Sequence, residues 1–206
     1  MTNQSFVAVV DDDQAIREAL CLVLDSVDLV ARGYSSALAF LNDERNKACA
    51  CLVLDVRMPG VSGLELQRRL LDMHCIVPIV FMSGHGDVST AVEVMKKGAV
   101  DFLQKPFSNQ SLIDVVQATI SRTNRQREAA QRCEILKQRL ATLTPRERAI
   151  FDAIGSGRVA KQVADDLGIC VKTVEQHRTH IFSKLQIRRT SELTAMATEL
   201  LHIDRD

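Results

Sequence analysis

The sequence predicts an α/β fold followed by a small all-helical domain, and three observations support that prediction. Short apolar runs alternate with amphipathic stretches through the first half, which is typical of a parallel sheet built from βαβ units. Glycine- and proline-containing turns separate these segments. Beyond about residue 141 the strand-like runs stop and only helical patterns remain. A chain of 206 residues is long enough for two small domains.

Five segments of the first half are predicted as strands, at residues 6–10, 28–34, 50–54, 77–82 and 100–104. The runs at 6–10, 51–54 and 100–103 are apolar without alternation, which predicts strands that are buried on both faces. Predicted helices lie between and after the strands, at 14–27, 36–42, 63–72, 88–97 and 109–120. This alternation predicts a doubly wound, flavodoxin-like fold with a five-stranded parallel sheet in the order 2-1-3-4-5.

The second half is predicted to be entirely helical. Residues 122–141 are polar, lack Gly and Pro, and carry one narrow apolar stripe. Thr144, Pro145 and Glu147 have the spacing of a capping box with proline at the first helical position. The helices that follow are predicted at 145–155, 160–167, 172–185 and about 191–201. Two of them are joined by a short turn at Gly168, which predicts a helix-turn-helix.

The net charge of zero hides an asymmetry between the two halves. Residues 1–120 contain 10 Lys and Arg against 15 Asp and Glu, a net charge of −5. Residues 121–206 contain 16 against 11, a net charge of +5. An acidic half and a basic half indicate different partners, a cation for the first and a polyanion for the second.

Composition excludes several classes of protein. Hydrophobic residues make up 46% and charged residues 25%, as in ordinary globular proteins and unlike disordered or fibrous ones. No apolar run approaches the 18 or so residues that a membrane span requires, and residues 1–6 lack a secretory pattern, so we expect a cytoplasmic protein with no membrane partner. The six cysteines lack metal or redox spacing, and we expect them to be reduced.

Charged and polar residues follow four of the predicted strands. Asp11 and Asp12 follow the first, Asp55 ends the third, Ser83 follows the fourth and Lys105 follows the fifth. The carboxyl ends of parallel strands share one edge of the sheet, where ligands bind in open α/β folds. Clustered carboxylates are tolerated when a cation lies among them. The grouping predicts a hard divalent ion, a carboxylate that accepts a phosphoryl group, and a lysine that holds that group.

Each of these residues has a plainer explanation when it is taken alone. Asp11 and Asp12 suit a helix cap, Asp55 a turn, and Lys105 a solvated surface. Their coincidence at one sheet edge favours a site. Two other functions remain open at this point, a Mg²⁺-dependent hydrolase that uses Asp55 as a nucleophile and a scaffold that binds a protein partner without DNA.

The motifs resemble a known family over nearly all 206 residues. The strings VVDDD, LDVRMPGVSG, MSGHGD and FLQKPF resemble the receiver domain of bacterial two-component response regulators. The strings LTPRERAIFDAIGSG and VADDLGICVKTVEQHR resemble the LuxR-type helix-turn-helix. Together they resemble the FixJ-like regulators of the NarL/FixJ family. The resemblance implies a receiver domain at 1–121, a helical linker at 122–141 and a DNA-binding domain at 142–206.

The resemblance implies roles for individual residues of the receiver. Asp55 matches the phosphoacceptor. The implied shell of a Mg²⁺ ion, with Mn²⁺ as an alternative, consists of Asp11, Asp12, Asp55 and the backbone carbonyl of Arg57. The implied switch and phosphate-binding residues are Ser83, Phe102 and Lys105, and the bond between Lys105 and Pro106 is expected to be cis.

The resemblance also implies a DNA-binding surface around the predicted helix 172–185. The expected base contacts are Glu175, Gln176 and Thr179. The other expected contacts, mainly to the DNA backbone, are Lys161, Lys172, Thr173, His177, Arg178, Lys184 and Arg188. The implied partners are a sensor histidine kinase, double-stranded DNA, a second copy of the chain after phosphorylation, and RNA polymerase. The protein is then no enzyme beyond slow self-dephosphorylation, and it regulates transcription, with activation as the expected direction.

Overall fold

The computed structural model describes residues 5–84, 95, 96 and 98–203. The chain divides into two compact units, Met1–Arg125 and Gln126–Asp206. No helix within the described ranges combines the length and apolar character that a bilayer crossing demands.

The first unit contains a five-stranded sheet. Its strands are β1 (Phe6–Val10), β2 (Ala31–Tyr34), β3 (Cys49–Asp55), β4 (Ile79–Ser83) and β5 (Asp101–Gln104). All four neighbouring pairs are parallel, and the strand order is β2-β1-β3-β4-β5. The predicted topology is therefore confirmed.

Helices lie between and after these strands, and the bounds of α1, α2 and α3 are close to the predicted ones. They are α1 (Gln14–Asp25), α2 (Ala37–Leu41), a short 3₁₀ helix (Glu44–Ala48), α3 (Gly63–Asp72) and α4 (Asn109–Ala141). The predicted helix 88–97 lies outside the described residues except at positions 95 and 96. Residues 109–120 and 122–141 form one continuous helix of 33 residues, since no glycine or proline interrupts them.

The central strands are buried because apolar side chains cover both faces of the sheet. Along β1, Ala8 and Val10 face one core cluster, whereas Val7 and Val9 face the other, as the two-residue period of a strand requires. Residues of β3 divide between the same two clusters. The prediction of a strand buried on both faces is confirmed for β1 and β3.

The same prediction is wrong for β5. Asp101 and Gln104 are exposed, Phe102 is half-buried, and Leu103 is the one buried residue of the strand. The reason is position, since β5 lies at the edge of the sheet and pairs only with β4. An apolar run thus marks a strand but does not say whether that strand is central.

The second unit is helical. It contains the end of α4 together with α5 (Pro145–Gly155), α6 (Ala160–Leu167), α7 (Val171–Leu185) and α8 (Thr190–Ile203). Leu136 and Leu140, from the apolar stripe of the predicted linker, belong to the core of this unit. The capping box of Thr144 and Glu147 is present at the start of α5. Gly168 ends α6 with a φ of 62°, a conformation that glycine adopts without strain.

Helices α5 and α8 cross closely, and the crossing depends on one small residue. A Cβ atom at Gly155 would lie 2.4 Å from the Cβ of Ala197. Gly155→Ala is expected to destabilise the helical unit by about 2 kcal/mol, because neither backbone can yield cheaply. Chemical denaturation of the chain, followed by hydrogen exchange within α5 and α8, measures the loss. Adding Ala197→Gly restores the space, so the double variant should recover most of the stability; equal loss in both variants would contradict the crossing.

Candidate functional site

Three charged side chains that are distant in sequence meet at the carboxyl edge of the sheet. Asp11 follows β1, Asp55 ends β3, and both are buried. The ammonium Nζ of Lys105, one residue after β5, donates to Asp11 Oδ2 at 2.7 Å and to Asp55 Oδ1 at 2.7 Å. The parallel topology brings them together, because each stands at the same end of its strand.

The position of Asp55 is fixed by the loop that follows it. Its Oδ2 accepts a hydrogen bond from the backbone N–H of Arg57 at 2.8 Å. The N–H of Gly63 donates to the carbonyl of Val56 at 3.1 Å and brings the start of α3 against the strand end. A Cβ at Gly63 would lie 2.3 Å from the Asp55 carbonyl oxygen, so this approach requires glycine.

Asp11, Asp12 and Asp13 have three different environments. Asp11 Oδ1 accepts from the N–H of Asp13 at 2.9 Å, and Arg17 donates to the Asp11 carbonyl at 2.8 Å. Asp13 caps α1 by accepting from the first N–H groups of that helix. The alternative explanation of Asp11 and Asp12 as the helix cap is therefore wrong, because Asp13 occupies that position. Asp12 is exposed at the same edge.

The predicted switch residues lie on β4 and β5. Ser83 is buried at the end of β4, and its carbonyl accepts from the N–H of Lys105 at 2.7 Å. Phe102 pairs in register with Phe81 and packs, half-buried, against the core. The bond between Lys105 and Pro106 is cis, as the resemblance implies.

The charges of the site are one ammonium group and two carboxylates in contact with it. Burial lowers the pKa of Lys105, but the hydrogen bonds and charges of Asp11 and Asp55 outweigh burial and raise the pKa overall. Lys105 is therefore charged at neutral pH and holds two carboxylates together. Because the Asp11 and Asp55 carboxylates both accept from one ammonium group, the space between them suits a cation. Asp11 and Asp55 accept from the same ammonium group, and the exposed Asp12 follows Asp11 in the chain, so this edge of the sheet offers the carboxylate oxygens that Mg²⁺ prefers.

The predicted DNA-binding residues lie on or next to α6 and α7, and they differ in exposure. The exposed ones are Lys161, Lys172, Gln176, Thr179, Lys184 and Arg188. The half-buried ones are Thr173, Glu175, His177 and Arg178. Four of the six exposed residues therefore lie on α7.

Several of these side chains are already bonded within α7. Glu175 and Arg178 form an ion pair at 2.8 Å. Thr179 Oγ1 donates to the carbonyl of Glu175 at 3.1 Å. The hydroxyl of Thr173 lies 3.1 Å from the Cys170 thiol at the start of the helix. Gln176, by contrast, is exposed.

Lys184 has a structural partner that the sequence did not indicate. Its Nζ donates to Glu147 Oε2 at 2.6 Å and to the Thr142 carbonyl at 3.2 Å. The same Glu147 oxygen accepts from the N–H of Thr144 at 2.8 Å. Lys184 therefore ties α7 to the start of α5, a structural role beside the expected contact with DNA. In the sequence, Glu147 indicated a capping box and Lys184 indicated a charged helix face, and nothing linked the two residues.

This ion pair predicts acid sensitivity of the helical unit. The hydrogen bond from Lys184, with that from the Thr144 backbone, lowers the pKa of Glu147 from 4.5 to about 2. A lowered folded-state pKa stabilises the fold above about pH 4.5, and that contribution is lost as the pH falls toward 2. The protection factors of amides in α5 and α7, which are corrected for the intrinsic exchange rate at each pH, should therefore fall across this window. Glu147→Gln should be less stable at neutral pH and should lose this dependence; an unchanged dependence would contradict the pairing.

Comparison with known proteins agrees with both units. Residues 7–117 match the response regulator receiver domain, and residues 141–197 match the bacterial regulatory proteins of the luxR family. The chain belongs to the response regulators. This response regulator is 40% identical to nodulation protein W of Bradyrhizobium diazoefficiens, over 97% of the chain and 88% of that protein. It is 42% identical to the transcriptional regulatory protein FixJ of Azorhizobium caulinodans, over 93% of the chain and 90% of that protein.

Solved structures agree with these relatives. The response regulator StyR superposes with a TM-score of 0.79 at 38% identity, covering 95% of this chain and 99% of that one. FixJ from B. japonicum superposes with a TM-score of 0.62 at 36% identity, covering 96% and 98%. The response regulator described here thus combines a receiver domain with a LuxR-type DNA-binding domain, and its function is the regulation of transcription.

Proposed function

We propose that this response regulator accepts a phosphoryl group on Asp55 from a sensor histidine kinase, in a Mg²⁺-dependent reaction, and that phosphorylation pairs two copies on DNA. The observation that carries the proposal is the contact of Lys105 with both Asp11 and Asp55 at 2.7 Å. It supports a site where a carboxylate nucleophile, a charged lysine and further carboxylates for a cation lie together. The proposal assigns residues 1–121 to the receiver, 122–141 to the linker and 142–206 to DNA binding.

The proposed chemistry is a transfer between two protein side chains. Asp55 attacks the phosphorus of a phosphohistidine, the bond to the histidine nitrogen breaks, and the phosphoryl group remains on the carboxylate. Lys105 then moves one of its hydrogen bonds from Asp55 to a phosphate oxygen. Asp11, Asp12, Asp55 and the Arg57 carbonyl would hold a Mg²⁺ ion, which would supply the positive charge that phosphoryl transfer needs.

The proposed switch follows from the added charge. Phosphorylation adds nearly two negative charges and three strong acceptors at Asp55. The hydroxyl of Ser83, at the end of β4, is then drawn toward a phosphate oxygen, and Phe102 on the exposed edge strand changes its packing. The group biases two existing states of the receiver rather than creating a new one.

The proposed DNA interface consists of the exposed face of α7, the start of α6 and the residues that follow α7. Lys161, Lys172 and Arg188 contact phosphates and provide affinity that does not depend on sequence. Gln176 is suited to adenine, because its amide both donates and accepts. A single small helical domain contacts few base pairs, so two copies on an inverted repeat are expected. Recruitment of RNA polymerase and activation of transcription complete the proposal.

The alternative function for the receiver site is that of a hydrolase, and the two functions predict different numbers of turnovers. A hydrolase would release phosphate from a small ester repeatedly, whereas the proposed regulator forms one acyl phosphate that decays slowly. No side chain of the described loop at Arg57 and Met58 offers a general base beside Asp55.

The experiment compares the chain before and after treatment with acetyl phosphate and Mg²⁺. We expect a gain of one phosphoryl group in the intact mass, a shift from monomer to dimer in light scattering, and tighter binding to duplex DNA. Chelation of Mg²⁺ by EDTA should prevent all three changes. Continuous phosphate release without a phosphorylated protein would favour the hydrolase, and phosphorylation without any salt-dependent DNA binding would favour the scaffold.

Two substitutions on α7 separate the proposed kinds of DNA contact. Lys172→Ala is expected to weaken binding to all duplexes alike and to reduce the slope of log affinity against log salt by about 1. Gln176→Ala should instead cost about 1–3 kcal/mol on the preferred duplex and little on others. Binding isotherms at several salt concentrations measure both. Identical profiles for the two variants would contradict the assignment.

A further inference from the structure

The helical unit contains a second group of potential ligands that the phosphorylation site does not involve. Glu147 of α5 and His177 and His180 of α7 each offer one ligand atom, and these atoms lie within 4.8 Å of one another. Glu147 is buried, His177 is half-buried and His180 is exposed. The group therefore extends from the inside of the unit to its surface, where an ion in solution can reach it.

The arrangement follows from helix geometry. Residues three apart on a helix share one face, so both imidazoles of α7 point to the same side. Glu147 comes from the neighbouring helix, because the capping box at the start of α5 turns its side chain inward. The side chains thus come from two helices that the core already holds together. They do not depend on a loop for their relative position.

We propose that Glu147, His177 and His180 bind a divalent cation of borderline softness, with Zn²⁺ as the representative ion. Two imidazoles and one carboxylate form a common donor set for zinc, and water completes the tetrahedron. Ligand atoms about 3.4 Å apart surround such an ion when its bonds are about 2.1 Å long. Rotation of the exposed His180 and of His177 closes the remaining distance.

The carboxylate is held in place before any ion binds. Glu147 Oε2 accepts from the Thr144 N–H at 2.8 Å and from Lys184 Nζ at 2.6 Å. Since both bonds end on the same oxygen, Oε1 is the ligand atom that we assign to the ion. The pKa of Glu147, lowered to about 2 by these bonds, keeps the carboxylate ionised at neutral pH.

The positive charge of Lys184 opposes the binding of a cation to Glu147. Its ammonium neutralises part of the Glu147 charge, so an incoming cation competes with it. Lys184 also donates to the Thr142 carbonyl at 3.2 Å, which gives the ammonium a second acceptor when the ion weakens the first contact. The nitrogen atoms of the two imidazoles supply the rest of the attraction, and this selects Zn²⁺ over Mg²⁺, which prefers oxygen ligands.

The test uses the whole chain in excess Mg²⁺, so that the receiver carboxylates are occupied. Calorimetry with Zn²⁺ and absorption with Co²⁺ are compared for the parent, His180→Ala and His74→Asn. His180 is exposed, so its variant should unfold close to the temperature of the parent. His74 is an exposed histidine of the receiver unit and is the matched control; its φ of 53° suits asparagine.

We expect one equivalent of Zn²⁺ on the parent and on His74→Asn, with affinity reduced at least about tenfold in His180→Ala, since even changes around metal ligands cost that much. Imidazole ¹⁵N signals of His177 and His180 should shift together during the titration. Equal affinity of His180→Ala and the parent would overturn the proposal. A Co²⁺ spectrum with thiolate charge-transfer bands would also overturn it, because the ion would then lie on a cysteine.

Discussion

Asp55→Asn is expected to abolish phosphorylation of the chain by acetyl phosphate and Mg²⁺. An amide nitrogen does not attack phosphorus, and the side chain keeps its shape, so the change removes the nucleophile and little else. In the parent, Oδ1 accepts from Lys105 and Oδ2 from the Arg57 N–H. Asparagine retains one acceptor for these two donors. Intact-mass spectrometry should show one added phosphoryl group on the parent and none on the variant.

The downstream responses should disappear with the modification. Asp55→Asn is expected to remain a monomer and to keep its basal DNA affinity after the same treatment, because no charge is added at the sheet edge. Asp28→Asn is the matched control, since Asp28 is exposed and has a φ of 61°, which asparagine tolerates. The control should respond as the parent does. A phosphorylated Asp55→Asn protein, or one that dimerises on treatment, would remove Asp55 from the proposed mechanism.

The features that the sequence predicted best are those with local causes. The buried runs of β1 and β3 reflect apolar residues that need covering on both faces, and both strands are buried. Thr144 and Glu147 are three residues apart, so their capping box follows from spacing alone. Predicting that Asp11, Asp55 and Lys105 lie together required one more inference. The strands had to be taken as parallel members of one sheet before their ends could be placed at one edge.

The features that the sequence did not predict depend on tertiary context. The run at 100–103 contains the charged Asp101, which an exposed edge strand tolerates and a strand buried on both faces does not. The position of β5 at the edge of the sheet accounts for its exposure. Lys184 and Glu147 are 37 residues apart, and each has a plainer local role. The sequence also did not indicate which of three consecutive aspartates caps α1, because all three suit that position equally well, and the cap is Asp13.

Gly63→Ala is expected to destabilise the receiver unit by about 3 kcal/mol and to slow phosphorylation of the fraction that folds. The added Cβ would lie 2.3 Å from the Asp55 carbonyl oxygen and 3.2 Å from Leu54 Cγ. Backbone atoms must move apart by more than 1 Å to reach ordinary contact, which is the costliest form of overpacking. Because that carbonyl belongs to Asp55, the movement also displaces the carboxylate relative to Lys105.

Gly84→Ala separates this steric effect from the general effect of replacing glycine. Gly84 follows β4 at the same edge of the sheet, and a Cβ there would meet no atom of the described residues within 4 Å. Urea denaturation should therefore show little change for Gly84→Ala and a large one for Gly63→Ala. Phosphorylation rates under native conditions then test the second part of the prediction. A destabilised Gly63→Ala protein with the parent's rate would mean that α3 supports the fold without positioning Asp55.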